Sequence, residues 1–218
     1  PLNVVREDPR DSSIVYVGSD NGLYVSFDAG LHFIPWNTSL PRVAVHDLAI
    51  QARENELVVG THGRSLYIAS LEEVQAYPSL QNETLALLPV MDMNWDEKLG
   101  HKAAVYNEPR SMSCSIRCFS KDSGLHTLRI LNAKGRMVYE KQVETAYGFN
   151  TFSYDMQVLP AQVHQFKPAL EAAEDKKYYV VPGTYTIELR DEQGHSARRD
   201  FVLKERKKET HENKEERE

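Results

Sequence analysis

Thr61-His62-Gly63-Arg64 puts an imidazole and a guanidinium on one short, glycine-containing turn. Together the two groups can bind an anion or a sugar. A guanidinium holds a carboxylate or phosphate through paired N–H donors, and an imidazole changes charge near neutral pH. The structural alternative is that Gly63 makes the turn, His62 bonds to backbone, and Arg64 pairs with a carboxylate such as Asp47 or Asp20. His46-Asp47 has the makings of a base and its orienter, but adjacent strand residues point to opposite faces, so a structural role is expected. Glycoside hydrolysis needs two carboxyl groups across a cleft, about 5–9.5 Å apart depending on mechanism. Asp20, Asp28 and Asp47 are the carboxylates with a claim, and none has a catalytic context; Arg42, Arg53 and Arg64 form no pattern suited to a substrate carboxylate. The expectation is no catalytic residue and no cofactor, with His62, Arg64 and Asp47 as the candidate ligand-binding set.

Cys114 and Cys118 lie four apart in an apparent strand. At about 3.3 Å per residue their α-carbons stand roughly 13 Å apart, too far for a disulfide, and both point to one face. They read as buried free thiols. No second Cys/His pair with ligand spacing accompanies them, so no metal site is expected. The 218 residues carry a net charge of −6, which leaves no basic excess for nucleic acid. No apolar run approaches the ~20 residues of a membrane span. The chain starts at Pro1 without a signal peptide and reads as a processed or excised piece.

The elements that must position these groups are strands. Val17-Gly18-Ser19 recurs as Val59-Gly60-Thr61, an offset of 42, and Leu23-Tyr24-Val25 recurs as Leu66-Tyr67-Ile68, an offset of 43. A period in the low forties is that of β-propeller blades. The first blade is expected over about 2–36, with strands near 3–6, 14–18, 23–27 and 32–36 and a hairpin at Ser19–Gly22. A second follows with strands at 43–50, 56–61 and 65–70 and no outer strand. Leu71–Tyr77 reads as a helical turn leaving the propeller. Two blades cannot close a ring, because their outer faces would be exposed apolar patches; either further blades are missing or these strands pack on something else.

Residues 78–112 read as a linker in which Leu85–Val90 adds one strand. From 113 to 204 the pattern is a β-sandwich, with hairpins at Asn132–Gly135 and Asp191–His195. Ala161–Lys177 is the one stretch suited to a helix or an excursion. Phe149, Phe152, Tyr154 and Tyr185 are expected in the core. The tail, 205–218, mixes charges of both signs and should be disordered or a solvated helix.

Ser26-Phe-Asp28-Ala-Gly30-Leu-His32-Phe33 has the spacing Ser-x-Asp-x-Gly-x-polar-aromatic between two strand runs. The Asp can accept the turn's own amides, Gly30 takes a backbone angle that a β-carbon disfavours, and Phe33 is expected to plug the gap beneath. The segment resembles the Asp-box of BNR repeats, with His32 where Thr is usual and Phe33 where Trp is usual. With Val43–Ile50 and Leu57–Ile68, it resembles the final blades of secreted bacterial sortilin-like, BNR-repeat propellers, often labelled glycosyl hydrolases. Ile130–Val138, Gly148–Asp155 and Pro182–Leu189 resemble the Ig-like, hook-capping-type domain that follows such propellers. The resemblance implies an all-β chain made of two terminal blades of an incomplete propeller (1–77) and an Ig-like β-sandwich (113–204). It also implies a periplasmic or extracellular location and, as partners, the rest of the propeller and a glycan or protein ligand. The function it favours is non-catalytic binding or assembly. The rival is the C-terminal portion of a glycoside hydrolase whose catalytic carboxylates lie upstream. The segment 183–204 faintly resembles type IX secretion sorting domains, against which the long charged tail argues.

Overall fold

The computed structural model describes residues 1–36, 43–166 and 168–205, so Arg42 and the tail beyond 205 lie outside the described residues. Strands make up 48% of the chain and helix 8%, which fixes the class as all-β. The chain divides into two compact units, Pro1–Asn82 and Glu83–Glu218.

The first unit holds two antiparallel sheets. One runs in the order β1 (Leu2–Glu7), β2 (Val15–Ser19), β3 (Gly22–Ser26), β4 (Ile34–Pro35). The other runs β5 (Val45–Gln51), β6 (Glu56–Thr61), β7 (Leu66–Ser70). Each connection is short, so consecutive strands pair as a meander. Ser19 closes the β2–β3 hairpin: its hydroxyl donates to the Gly22 carbonyl at 3.2 Å and accepts the Asn21 amide at 3.1 Å. Val4, Tyr16, Leu23 and Val25 of the first sheet meet Val45, Leu48, Leu57 and Val59 of the second in one core. Gly18, the first glycine of the repeat, is needed there because a β-carbon would stand 2.5 Å from Val45 Cγ1 and 2.7 Å from Val4 Cγ1.

The helix α1 (Glu72–Leu80) does not leave this unit, as its sequence suggests, but folds back onto it. Leu71 and Val74 enter the core. Gln75 Nε2 donates to both carboxylate oxygens of buried Asp8, at 3.1 and 2.9 Å, and Gln75 and Asn55 exchange two 3.0 Å hydrogen bonds. Asp8 also accepts the Tyr16 hydroxyl at 2.6 Å and the amides of Arg10 and Asp11. One side chain from the helix thus ties the β1–β2 and β5–β6 turns together, and the buried carboxylate is fully partnered. Burial and the Asp8 carboxylate raise the Tyr16 hydroxyl well above its ordinary pKa, which keeps it a donor.

The second unit is a sandwich of two sheets. The smaller has the order β13 (Gly148–Tyr154), β10 (Cys114–Ser120), β8 (Leu85–Leu87). The larger has the order β12 (Met137–Thr145), β11 (Gly124–Asn132), β16 (Gly183–Asp191), β17 (Ser196–Lys204), β9 (Met93–Asn94). A two-stranded pair, β14 (Gln157–Val158) with β15 (Tyr178–Tyr179), completes it. Leu87, Ile116 and Tyr154 from the smaller sheet pack with Leu128, Ile130, Ile187, Leu189 and Phe201 from the larger. Both cysteines are buried and neither is in a disulfide, and burial pushes the Cys114 thiol up to about 11. Tyr154 and Tyr185 are core residues and Phe152 is packed against the core. Phe149 departs from expectation: it sits edge-on to Phe119, ring centres 5.5 Å apart, rather than in this core. The 161–177 stretch is an excursion carrying a single 3-10 turn, Pro160–Gln165. Within it, Asp175 bonds to the carbonyl of Gly100, where a β-carbon would clash with Ala173 and Tyr179 at 2.6 Å.

The outer faces of the two units differ in chemistry. Across β5–β7, Ala49, Val58 and Ile68 stand directly opposite one another on the face away from the core. Across β1–β4, Val5, Val17, Tyr24 and Pro35 stand in one row, in which Val5 is exposed and Val17 buried. The larger sheet of the second unit carries Glu140, Arg129, Glu188 and Arg198 in the equivalent kind of row.

Candidate functional surface around the β5–β6 bulge

The β5–β6 ladder pairs Val45 with Thr61 and then Asp47 with Gly60, leaving His46 as the extra residue of a β-bulge. A bulge rotates the strand locally. It explains the burial sequence in which Val45 and Leu48 are buried while His46 and Asp47 are both exposed. The two residues therefore do not face opposite ways, contrary to the simple alternation the sequence suggests.

His62 lies one residue past Gly60–Thr61, and its amide donates to the Ala44 carbonyl at 2.9 Å, next to the bulge. This brings the His46 and His62 rings to 5.3 Å between centres, at 43° to one another. The loop beyond is tight: the Thr61 hydroxyl donates to the Ser65 carbonyl at 2.7 Å, with φ at +75° for Gly63 and +88° for Ser65. A serine at that φ is strained. Arg64 stands exposed at the tip. It pairs with neither expected carboxylate. Asp47 Oδ1 takes Arg6 Nη2 at 3.1 Å and the Leu48 amide at 2.9 Å, while Asp20 accepts Asn3 Nδ2 at 2.8 Å. Asn3 also donates to the Val45 carbonyl at 3.0 Å. Of the three predicted ligand residues, the fold brings His62 to His46 and Asp47 to Arg6, and it leaves Arg64 free of both acids. Arg6 and Asn3 escaped the sequence reading because they come from β1, 41 and 42 residues away from their partners.

The Ser26–Phe33 turn forms its clamp. Asp28 Oδ1 accepts the His32 amide at 2.8 Å and the Ser26 hydroxyl at 2.7 Å, and Asp28 Oδ2 meets His32 Nδ1 at 2.6 Å. The Ser26 oxygen in turn accepts the amides of Asp28 and Gly30, and Gly30 takes φ +89°. The His32 amide, the Ser26 hydroxyl and the His32 ring, in that order, hold the Asp28 carboxyl well below the usual carboxylate range. The aromatic plug is not Phe33, which is 42% exposed, but Trp36, which is 8% exposed and lies 5.7 Å from the Tyr16 ring. The reason is register: the Trp36 amide bonds to the Leu23 carbonyl, and that places its side chain in the core.

The second unit repeats the Asp–His part of this clamp at Asp191-Glu-Gln-Gly-His195, with the same 2.8 Å amide and 2.6 Å ring contacts. Burial acts to raise the Asp191 pKa, but the His195 side chain and amide outweigh it and leave the carboxyl lowered. The shared Asp-x-x-x-His spacing was the available signal.

Among the described residues, no group of three or more His, Cys, Asp or Glu is placed to hold a metal ion. No described helix is long and apolar enough to cross a membrane. No family model matches the chain. No curated protein matches it either. A solved structure, the extracellular domain of a hybrid two-component system from B. thetaiotaomicron, is similar to 94% of the chain at 11% identity and a TM-score of 0.25. The chain spans about a quarter (25%) of that structure's length.

Proposed function

We propose that the first unit is two blades of a sortilin-like, BNR-repeat propeller and the second its Ig-like domain, together acting outside the cytoplasm as a non-catalytic binding or assembly module. The observation that carries this reading is the pair of apolar rows on the outer faces of the first unit's sheets. An apolar row on the second face of a sheet is suited to being covered there as well. Further sheets of the same kind, stacked as the two present sheets already stack, would cover them. The repeat near 42 residues and the Ser26–Phe33 clamp support the same architecture.

The exposed rim at the bulge supports binding rather than hydrolysis. Asp20, Asp28 and Asp47 are each held by local partners that fix them as ion-pair or turn acceptors. Arg64 and His62 remain to meet an anionic or sugar ligand. Presenting the full chain to a glycan array, alongside incubation with chromogenic glycosides, tests the proposal. We expect binding that weakens in Arg64→Ala, and no turnover. Turnover abolished by Asp20→Asn or Asp47→Asn would overturn it.

A further inference from the structure

We propose that His46 and His62 form a two-imidazole chelating site for a borderline divalent transition-metal ion of the nickel, copper or zinc class. Imidazole nitrogen is the ligand type that suits these ions. Two imidazoles on one ion, with metal–nitrogen bonds of about 2.0–2.1 Å at near-square to tetrahedral angles, have ring centres roughly 4.5–5.2 Å apart. The observed 5.3 Å is within a small side-chain rotation of that range.

The pair is positioned by backbone rather than by chance contact of long side chains. The bulge turns His46 to the exposed side, and the His62 amide is anchored on the Ala44 carbonyl at 2.9 Å. Neither imidazole makes a hydrogen bond among the described residues, so both rings keep nitrogen lone pairs for a ligand. Four other histidines are committed elsewhere: His32 to Asp28, His195 to Asp191, His101 to Glu174 and His126 to Thr145. Asp47, beside His46, neutralises the Arg6 guanidinium that would otherwise oppose a cation at this end of the sheet. Water completes the coordination, leaving the site open to a donor group from a bound ligand.

The test is calorimetric titration of Ni²⁺ into the untagged full chain. The expected result is one ion per chain. Binding should weaken roughly tenfold or more in either His46→Ala or His62→Ala, because the second imidazole acts at high effective concentration. It should persist in His164→Ala and His211→Ala, the remaining histidines, and in Arg64→Ala, which removes the guanidinium of the ligand surface proposed above and leaves His62, shared by both, in place. Wild-type thermal stability should rise with Ni²⁺, and that rise should vanish in His62→Gln. Full-strength binding in either alanine variant at 46 or 62, loss of binding in His211→Ala, or no binding to the wild type would each overturn the proposal.

Discussion

One outer row of the larger sheet in the second unit is a ladder of alternating charge, whereas one outer row in each sheet of the first unit is apolar from edge to edge. In the ladder, Arg129 Nε donates to Glu140 at 2.6 Å and Arg129 Nη1 lies 3.8 Å from Glu188, which accepts Arg198 Nε at 2.8 Å. Each charge stands directly opposite its partner in the register, the arrangement that stabilises cross-strand pairs. A face finished in this way needs no further layer. Ala49, Val58 and Ile68 finish nothing, and Ile68 is 66% exposed. The same chain therefore contains one face finished with paired charges and others that carry an unfinished apolar row.

The largest expected effect comes from breaking the ladder at its centre. Glu188 is only 4% exposed and sits between two guanidiniums. Glu188→Ala leaves both arginines facing each other without their shared acceptor, and should cost about 2–3 kcal/mol, tempered by their partial exposure to solvent. Urea unfolding followed by a probe in the second unit measures it. A loss below about 0.5 kcal/mol would mean that the ladder is merely solvated surface.

The two Asp–His clamps compare the units at matched geometry. The Asp191 side chain is 6% exposed and that of Asp28 38%, though their contacts to the histidine are the same length. Asp191→Ala should therefore cost more, about 1–2 kcal/mol, and Asp28→Ala less. Both carboxyls have folded-state pKa values below their unfolded value near 3.9. Their contribution is thus present above about pH 4 and is lost as pH falls through the folded value. Acid unfolding of Asp191→Asn should show a flatter slope below about pH 4 than the wild type. Equal slopes would show that the clamp carries no linked proton.

Ser65 sharpens the contrast in the other direction, since strain in the first unit lies in the loop at its proposed ligand rim. With φ at +88°, Ser65→Gly should relieve backbone strain and stabilise the chain by about 0.5–1 kcal/mol, net of the extra entropy glycine gains when unfolded. The carbonyl that accepts Thr61 is retained in the variant. Differential scanning calorimetry reads the shift, and a lower Tm would show that the serine hydroxyl matters more than the strain.

The strands were legible because their signals are local: apolar runs bounded by turn residues, and a glycine that recurs with its neighbours 42 residues later. Gly18 and Gly60 look equivalent in that repeat, yet only Gly18 is crowded by side chains of another strand. The bulge at His46 was not legible, because a register slip is a property of two strands and the sequence displays one at a time. For the same reason Arg6 could not be matched to Asp47. Trp36 was missed through adherence to a motif that places its aromatic at Phe33. The core instead took the larger ring three residues on, where β3 offers a backbone acceptor. The helix gave half its message: Leu71 and Val74, three apart, mark an apolar stripe, but Gln75 reaching Asp8 is a contact across 67 residues.

The smallest effect on stability should accompany the largest effect on association. Ile68 stands opposite Val58 on the uncovered face of β7, and its side chain touches water in the folded chain as it does in the unfolded one. Ile68→Lys therefore removes little buried area, and should change unfolding free energy by less than about 0.5 kcal/mol. If that face is a contact surface, the charge would sit unpaired inside any layer stacked upon it, at a cost of several kcal/mol to the assembly. Light scattering as a function of concentration should show wild-type self-association that Ile68→Lys abolishes. A matching charge reversal at exposed Arg198, on the finished face of the second unit, should leave association unchanged. If the two variants behaved alike, the apolar row would be ordinary surface, and the distinction between faces that end a stack and faces that continue it would fail at its most exposed residue.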